Sequence, residues 1–149
     1  MSKLRSPCVK ESVLQDICAE HFSRTGYLVR EEVPLWTKFV DLYCVHPITG
    51  ESVAVEVKVL NWKRAIQQAN VYSFGADKVF IAVASPFVKR VEIAVLESAG
   101  VGLIAVSERD GCKVVLDPPY SYRRKQPIVD RIWTTVFKDL LFPSLLTVS

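Results

Sequence analysis

Residues 39–59, FVDLYCVHPITGESVAVEVKV, read as two apolar strands joined by a turn, yet Asp41, Glu56 and Lys58 interrupt them. The second strand, SVAVEVKVL, is otherwise as apolar as a central strand covered on both faces, and a charge in a covered strand needs a partner. If His46 pairs with Glu51 around the four-residue loop PITG, Asp41 falls directly opposite Glu56. Strand side chains alternate. One face then carries Val40, Leu42, Cys44, Val53, Val55, Val57 and Val59, and the other carries Asp41, Tyr43, Ala54, Glu56 and Lys58.

Opposed residues on antiparallel strands have Cβ atoms about 5 Å apart, so two carboxylates there repel each other unless something positive lies between them. A divalent cation answers this. Mg²⁺ and similar hard ions favour one or two carboxylates completed by water and phosphate oxygens, which fits Asp41 and Glu56 with a neighbouring backbone carbonyl. Lys58, on the same face, can hold a water or neutralise charge developing on a phosphate.

The remaining sequence supplies the elements to bury this hairpin. Val13, Leu14, Ile17, Cys18 and Phe22 define an amphipathic helix after the N-cap pattern Ser6-Pro7, and Gly26 ends it. Residues 27–35 follow as a strand. Trp62, Ile66, Ala69 and Phe74 predict a second helix closed by Gly75, KVFIAVA is a wholly apolar strand, and VKRVEIAVLESAG reads as a third helix stopped by Gly100. GLIAVS and KVVLD flank the turn ERDG. The expected order is α-β-β-β-α-β-α-β-β. Residues 118–126, PPYSYRRKQ, form a surface connection, and Ile128, Ile132, Val136 and Leu140 then predict a C-terminal helix ending near Pro143. The apolar tail LLFPSLLTV needs cover from the core or from a second copy of the chain.

With 149 residues, half of them hydrophobic and 23% charged, the chain is expected to be a single domain spanning 1–149. No run is long enough to cross a bilayer, and the start MSKLRSPCVKES has no apolar signal core. Cys8, Cys18, Cys44 and Cys112 are scattered without zinc-ligand spacing, so they read as small hydrophobes in a reducing, cytoplasmic setting. A net charge of +3 is compatible with a nucleic-acid partner if the basic residues share a face.

Asp41, fourteen intervening residues, and then Glu56-Val57-Lys58 resemble the D-x(n)-ExK signature of the PD-(D/E)xK nuclease superfamily, which includes restriction endonucleases and Holliday-junction resolvases. The resemblance extends to the order of elements over about residues 8–107 and leaves about 118–149 as an extension. Val40 stands where the motif's proline would be. The resemblance implies a restriction endonuclease-like α/β/α core with a mixed central sheet, and a Mg²⁺- or Mn²⁺-dependent endonuclease of structure-specific or restriction/repair type. Asp41, Glu56 and the Val57 carbonyl would bind the metal, and Lys58 would assist the attacking water. It also implies a helix-one acid, for which Glu11 is preferred to Glu20, and a polar residue on the following helix. There QQANVY resembles a Q-A-x-x-Y pattern, and Gln68 is preferred to Gln67. Lys63 and Arg64 begin that helix beside the site and would meet nucleic acid, whether branched or single-stranded DNA. A homodimer is expected by analogy. The alternative reading is a nuclease fold kept as a non-catalytic nucleic-acid-binding or assembly subunit.

Overall fold

The structure, a computed structural model, describes residues 9–141. Helix α1, Glu11–Arg24, buries Leu14, Cys18 and Phe22 at the four-residue spacing that keeps one face inward. Its N-cap is Lys10, which makes no side-chain cap; the expected Ser6-Pro7 start lies outside the described residues. Strands β1 (Leu28–Leu35), β2 (Lys38–Val45) and β3 (Ser52–Lys58) follow, then α2 (Trp62–Tyr72) and β4 (Lys78–Ala84). After a 3₁₀ segment come α3 (Ile93–Ala99), β5 (Gly102–Ser107), β6 (Gly111–Leu116), α4 (Gln126–Val136) and α5 (Lys138–Leu141).

The six strands form one sheet in sequential order, β1-β2-β3-β4-β5-β6. β3, β4 and β5 run parallel, and the pairs β1/β2, β2/β3 and β5/β6 are antiparallel. The two parallel steps need crossovers, which α2 and α3 supply. α1 covers one face over Leu42, Cys44, Val53, Val55 and Val57. The other face packs Tyr43, Val45, Ala54 and Ile81 against α2 and residues from α3 and α4. The result is the expected three-layer α/β/α core with a mixed sheet. Because both faces are covered, β3 is buried from Ser52 to Val57.

Four expectations are corrected. The buried stripe of α2 is Trp62, Ala65, Ala69 and Tyr72; the helix stops at Tyr72, so Phe74 lies beyond it and packs instead against Trp36. The stretch after Pro86 is 3₁₀ from Ser85 to Arg90, and helix geometry resumes only at Ile93, because Val91 and Glu92 are extended. The C-terminal helix breaks at Phe137, whose ring is fully buried against Tyr43. Val40 joins the cluster of Tyr43 and Val45 rather than that of Leu42 and Cys44. The expected continuation of the C-terminal helix past Leu141 falls outside the described residues, as does most of the apolar tail.

The break in alternation at Val40 has a local cause. β1 and β2 keep one register on either side of the Glu32 and Asp41 level, but Glu32 adopts φ 55°, a left-handed conformation that disfavours a side chain. Val33 and Val40 consequently both turn toward the α2 side. The distortion sits beside Asp41.

At the start of β5, Gly102 leaves no room for a side chain: an added Cβ would meet the Leu116 carbonyl oxygen at 2.6 Å, Pro118 at 2.7 Å and Phe80 at 2.8 Å. Gly102→Ala is expected to destabilise the fold by about 3 kcal/mol. Gly111→Ala, with φ 75° but open space, should lose only about 1 kcal/mol. Urea denaturation of both variants checks this, and equal losses would refute the packing explanation.

Candidate active site

The β2–β3 turn forms as the pattern requires. The His46 N–H donates to the Glu51 carbonyl at 2.8 Å, the Gly50 N–H donates to the His46 carbonyl at 2.8 Å, and Gly50 takes φ 78°. Pairing then runs from Val45↔Ser52 to Leu42↔Val55, which puts Asp41 and Glu56 one step beyond the last ladder pair. At that step the ladder gives way to a side chain. The Val57 N–H donates to Asp41 Oδ2 at 2.7 Å. The carboxylate thus takes over a bond that the neighbouring strand's backbone would otherwise supply, and the two strands part where the charges lie.

Glu56 is buried and shared among three groups. Tyr72, on α2, donates its hydroxyl to Glu56 Oε1 at 2.6 Å and also lies 3.0 Å from the Phe39 carbonyl. Lys58 Nζ stands 3.5 Å from Glu56 Oε2 and 4.0 Å from Glu11 Oε1. Burial pushes the Glu56 carboxyl up to about 7, with Asp41 adding to the rise while Tyr72 and Lys58 oppose it. Burial also raises Asp41, against the pull of the Val57 N–H. Tyr72 is driven upward by burial and by Glu56, so it remains a protonated donor.

Asp41, Glu56, Lys58 and Glu11 are therefore gathered at one place, where β2 and β3 part and α1 begins. Glu11 reaches it from the rim, half exposed. Glu20 instead pairs with Arg24 at 4.0 Å on the exposed face of α1. Gln67 is exposed, whereas Gln68 is partly buried and its Oε1 is buried with no hydrogen-bond partner among the described residues. Lys63 and Arg64 are exposed in the first turn of α2, where Asn61 caps the helix by accepting the Arg64 N–H at 3.2 Å. The basic run at 123–125 serves the fold: Arg123 bonds Asn70 and covers Phe74, and Arg124 pairs with Asp77 at 2.8 Å.

Two residues at the site have no role assigned from the sequence, although one of them, Tyr72, closes the Q-A-x-x-Y pattern. Tyr72 follows Gln68 by one helical turn, and that spacing was the available signal. Gln15, one turn after Glu11, brings its Nε2 within 3.2 Å of the Asp41 carbonyl, 2.8 Å of Glu31 Oε1 and 3.1 Å of Glu32 Oε2. It ties α1 to the distorted level of β1 and β2.

The donor set suits a hard cation. Two buried or half-buried carboxylates, both held above their ordinary range by desolvation, face a single ammonium, and further positive charge would favour their ionised forms. Among the described residues no three His, Cys, Asp or Glu side chains come together as a group able to hold a metal ion, so an ion at the Asp41 and Glu56 pair would need oxygen ligands from backbone, water or substrate.

No family model and no curated protein matches the chain. Among solved structures, a protein of unknown function from Silicibacter pomeroyi is similar at 20% identity, with a TM-score of 0.65 over 93% of this chain and 96% of that one. The likeness shows a shared fold across nearly the whole of both chains. A repair endonuclease from Pyrococcus abyssi aligns at TM-score 0.45 and 15% identity over 70% of this chain and 50% of its own. SfsA from Pyrococcus furiosus, in complex with Ca²⁺, aligns at 0.42 and 13% over 72% and 64%. Among the described residues no helix is long and apolar enough to cross a membrane.

The raised carboxyl of Glu56 makes a signed prediction. Between about pH 4.5 and 7 the folded state holds a proton that the unfolded chain releases, so this group's contribution to stability is full below 4.5 and is lost as pH rises through 7. Glu56→Gln should therefore gain on wild type by about 3 kcal/mol between pH 4.5 and 8 in urea denaturation without added metal. A difference independent of pH would contradict the burial of an ionisable group at this position.

Proposed function

We propose that this protein is a Mg²⁺- or Mn²⁺-dependent nuclease that hydrolyses DNA phosphodiester bonds at the Asp41, Glu56 and Lys58 site. The observation that carries the reading is the buried Glu56 placed beside Lys58 and one step past the ladder from Asp41, where Asp41 takes the Val57 N–H and opens the strands. An ordinary core has no use for such a group, because desolvating two carboxylates opposes folding unless a ligand compensates.

Asp41 and Glu56, with the Val57 carbonyl and Glu11 at the rim, would hold the cation. When bound, the ion supplies Lewis-acid polarisation of the phosphate and lowers the pKa of a coordinated water. Tyr72 fixes Glu56 through Oε1 and leaves Oε2 on the Lys58 side. The Lys58 ammonium, mostly buried, sits where it can orient the attacking water or stabilise negative charge on the pentacovalent phosphate. Gln68 offers its free amide oxygen from α2, and Lys63 and Arg64 extend positive charge beyond the site toward the nucleic-acid backbone. A two-fold homodimer would set two such sites at a fixed spacing for paired cuts.

Supercoiled, linear and branched DNA incubated with the protein and Mg²⁺ or Mn²⁺ should be cut on at least one substrate, and Lys58→Ala should lower the rate by roughly 100-fold or more. Calorimetry should show Mn²⁺ binding that vanishes in Asp41→Ala and survives in Lys58→Ala. DNA bound without cleavage by wild type would favour the non-catalytic subunit. Equal behaviour of wild type and Lys58→Ala on every substrate would end the enzyme reading.

A further inference from the structure

Away from the carboxylates, α1 and the edge strand β6 bring together two cysteines separated by 94 positions. Cys18 Sγ and Cys112 Sγ lie 3.7 Å apart. Cys18 is fully buried on the inner face of α1, whereas Cys112 is partly exposed one residue into a strand that, among the described residues, pairs only with β5. We propose that Cys18 and Cys112 form an oxidative modification site, which peroxide converts to a reversible disulfide tying α1 to β6.

The two thiols have the unequal environments that a stepwise reaction uses. The sulfur–sulfur contact with Cys18 and the nearby Arg24 guanidinium lower the Cys112 thiol, against the effect of its partial burial. Cys18 is held up by the same contact and by burial. Cys112 is thus the reachable thiolate that attacks the peroxide O–O bond, forming a sulfenic acid and releasing hydroxide, which takes a proton to become water. Cys18, already in contact, gives up its proton and attacks the Cys112 sulfur. The S–O bond breaks, the S–S bond forms, and hydroxide leaves with that proton as a second water. Two thiols and one hydrogen peroxide become one disulfide and two waters, with the sulfurs oxidised and the peroxide oxygens reduced.

Closing from contact to a bond of about 2.0 Å asks for a small shift, which is easier in β6 because it is the edge strand of the sheet among the described residues. The bond also reaches the carboxylate site through the helix. α1 carries Gln15 at the Asp41 carbonyl and Glu11 beside Lys58, so fixing α1 on β6 restrains the wall of that site.

The test treats the reduced, full chain with hydrogen peroxide under native conditions, blocks free thiols, and maps the peptides by mass spectrometry. A Cys18–Cys112 linkage is expected, with a mass lower by about 2 Da, a melting temperature raised by roughly 10 °C, and reversal by dithiothreitol. Cys112→Ser should form no such linkage, and Cys18→Ala should accumulate sulfenic acid at Cys112, trapped by dimedone. The proposal is overturned if folded wild type keeps both thiols, if peroxide links a different pair, or if Cys112 is over-oxidised equally in wild type and Cys18→Ala.

Discussion

The hydrogen bond from the Val57 N–H to the Asp41 carboxylate is the contact on which the rest of the site depends. Up to Leu42↔Val55 the strands are joined backbone to backbone; beyond it a side chain takes over. That substitution lets β2 and β3 separate without orphaning a buried donor, which would otherwise oppose folding by about 1–3 kcal/mol. Glu32 in its left-handed conformation and Gln15 at the Asp41 carbonyl accommodate the same distortion from the neighbouring strand and from α1. An irregularity beside a charged site is a common way for sheets to aim functional side chains.

Charge balance gives this place its chemical character. Glu56 and Glu11 both face the Lys58 ammonium, Asp41 lies near enough to feel its charge, and burial of Glu56 sets a conflict between ionisation and packing. Tyr72 eases it by donating to Glu56, yet not enough to restore an ordinary carboxyl. The fold therefore holds a site that is more stable neutralised than bare, so a ligand bringing positive charge there would stabilise the fold as it binds, by linkage.

Much of this was legible in local pattern. The loop PITG between His46 and Glu51 set the register of β2 and β3, because a strand's side chains repeat every two residues and one slip would turn the valines of one face to the other. Leu14, Cys18 and Phe22 marked the inner face of α1 at helical spacing. Periodicity failed where a residue was drawn out of its helix by a distant partner. Phe74 leaves α2 to meet Trp36, and Phe137 interrupts the C-terminal helix to pack on Tyr43. Neither partner is close in sequence, so no window could reveal them.

The sequence by itself determined which side chains could share a face of the hairpin and the order in which strands and helices arrive, since both follow from the two- and 3.6-residue periods of the backbone. Only the tertiary structure decided what surrounds them. Gln15 came to the Asp41 carbonyl, Tyr72 to Glu56 and Cys112 to Cys18 because packing α1 and α2 on opposite faces of one sheet fixes distances between positions far apart in the chain. The same packing turned Glu56 from a surface-type residue into a buried acid, because burial is a property of the layers around a side chain and not of the residue that carries it.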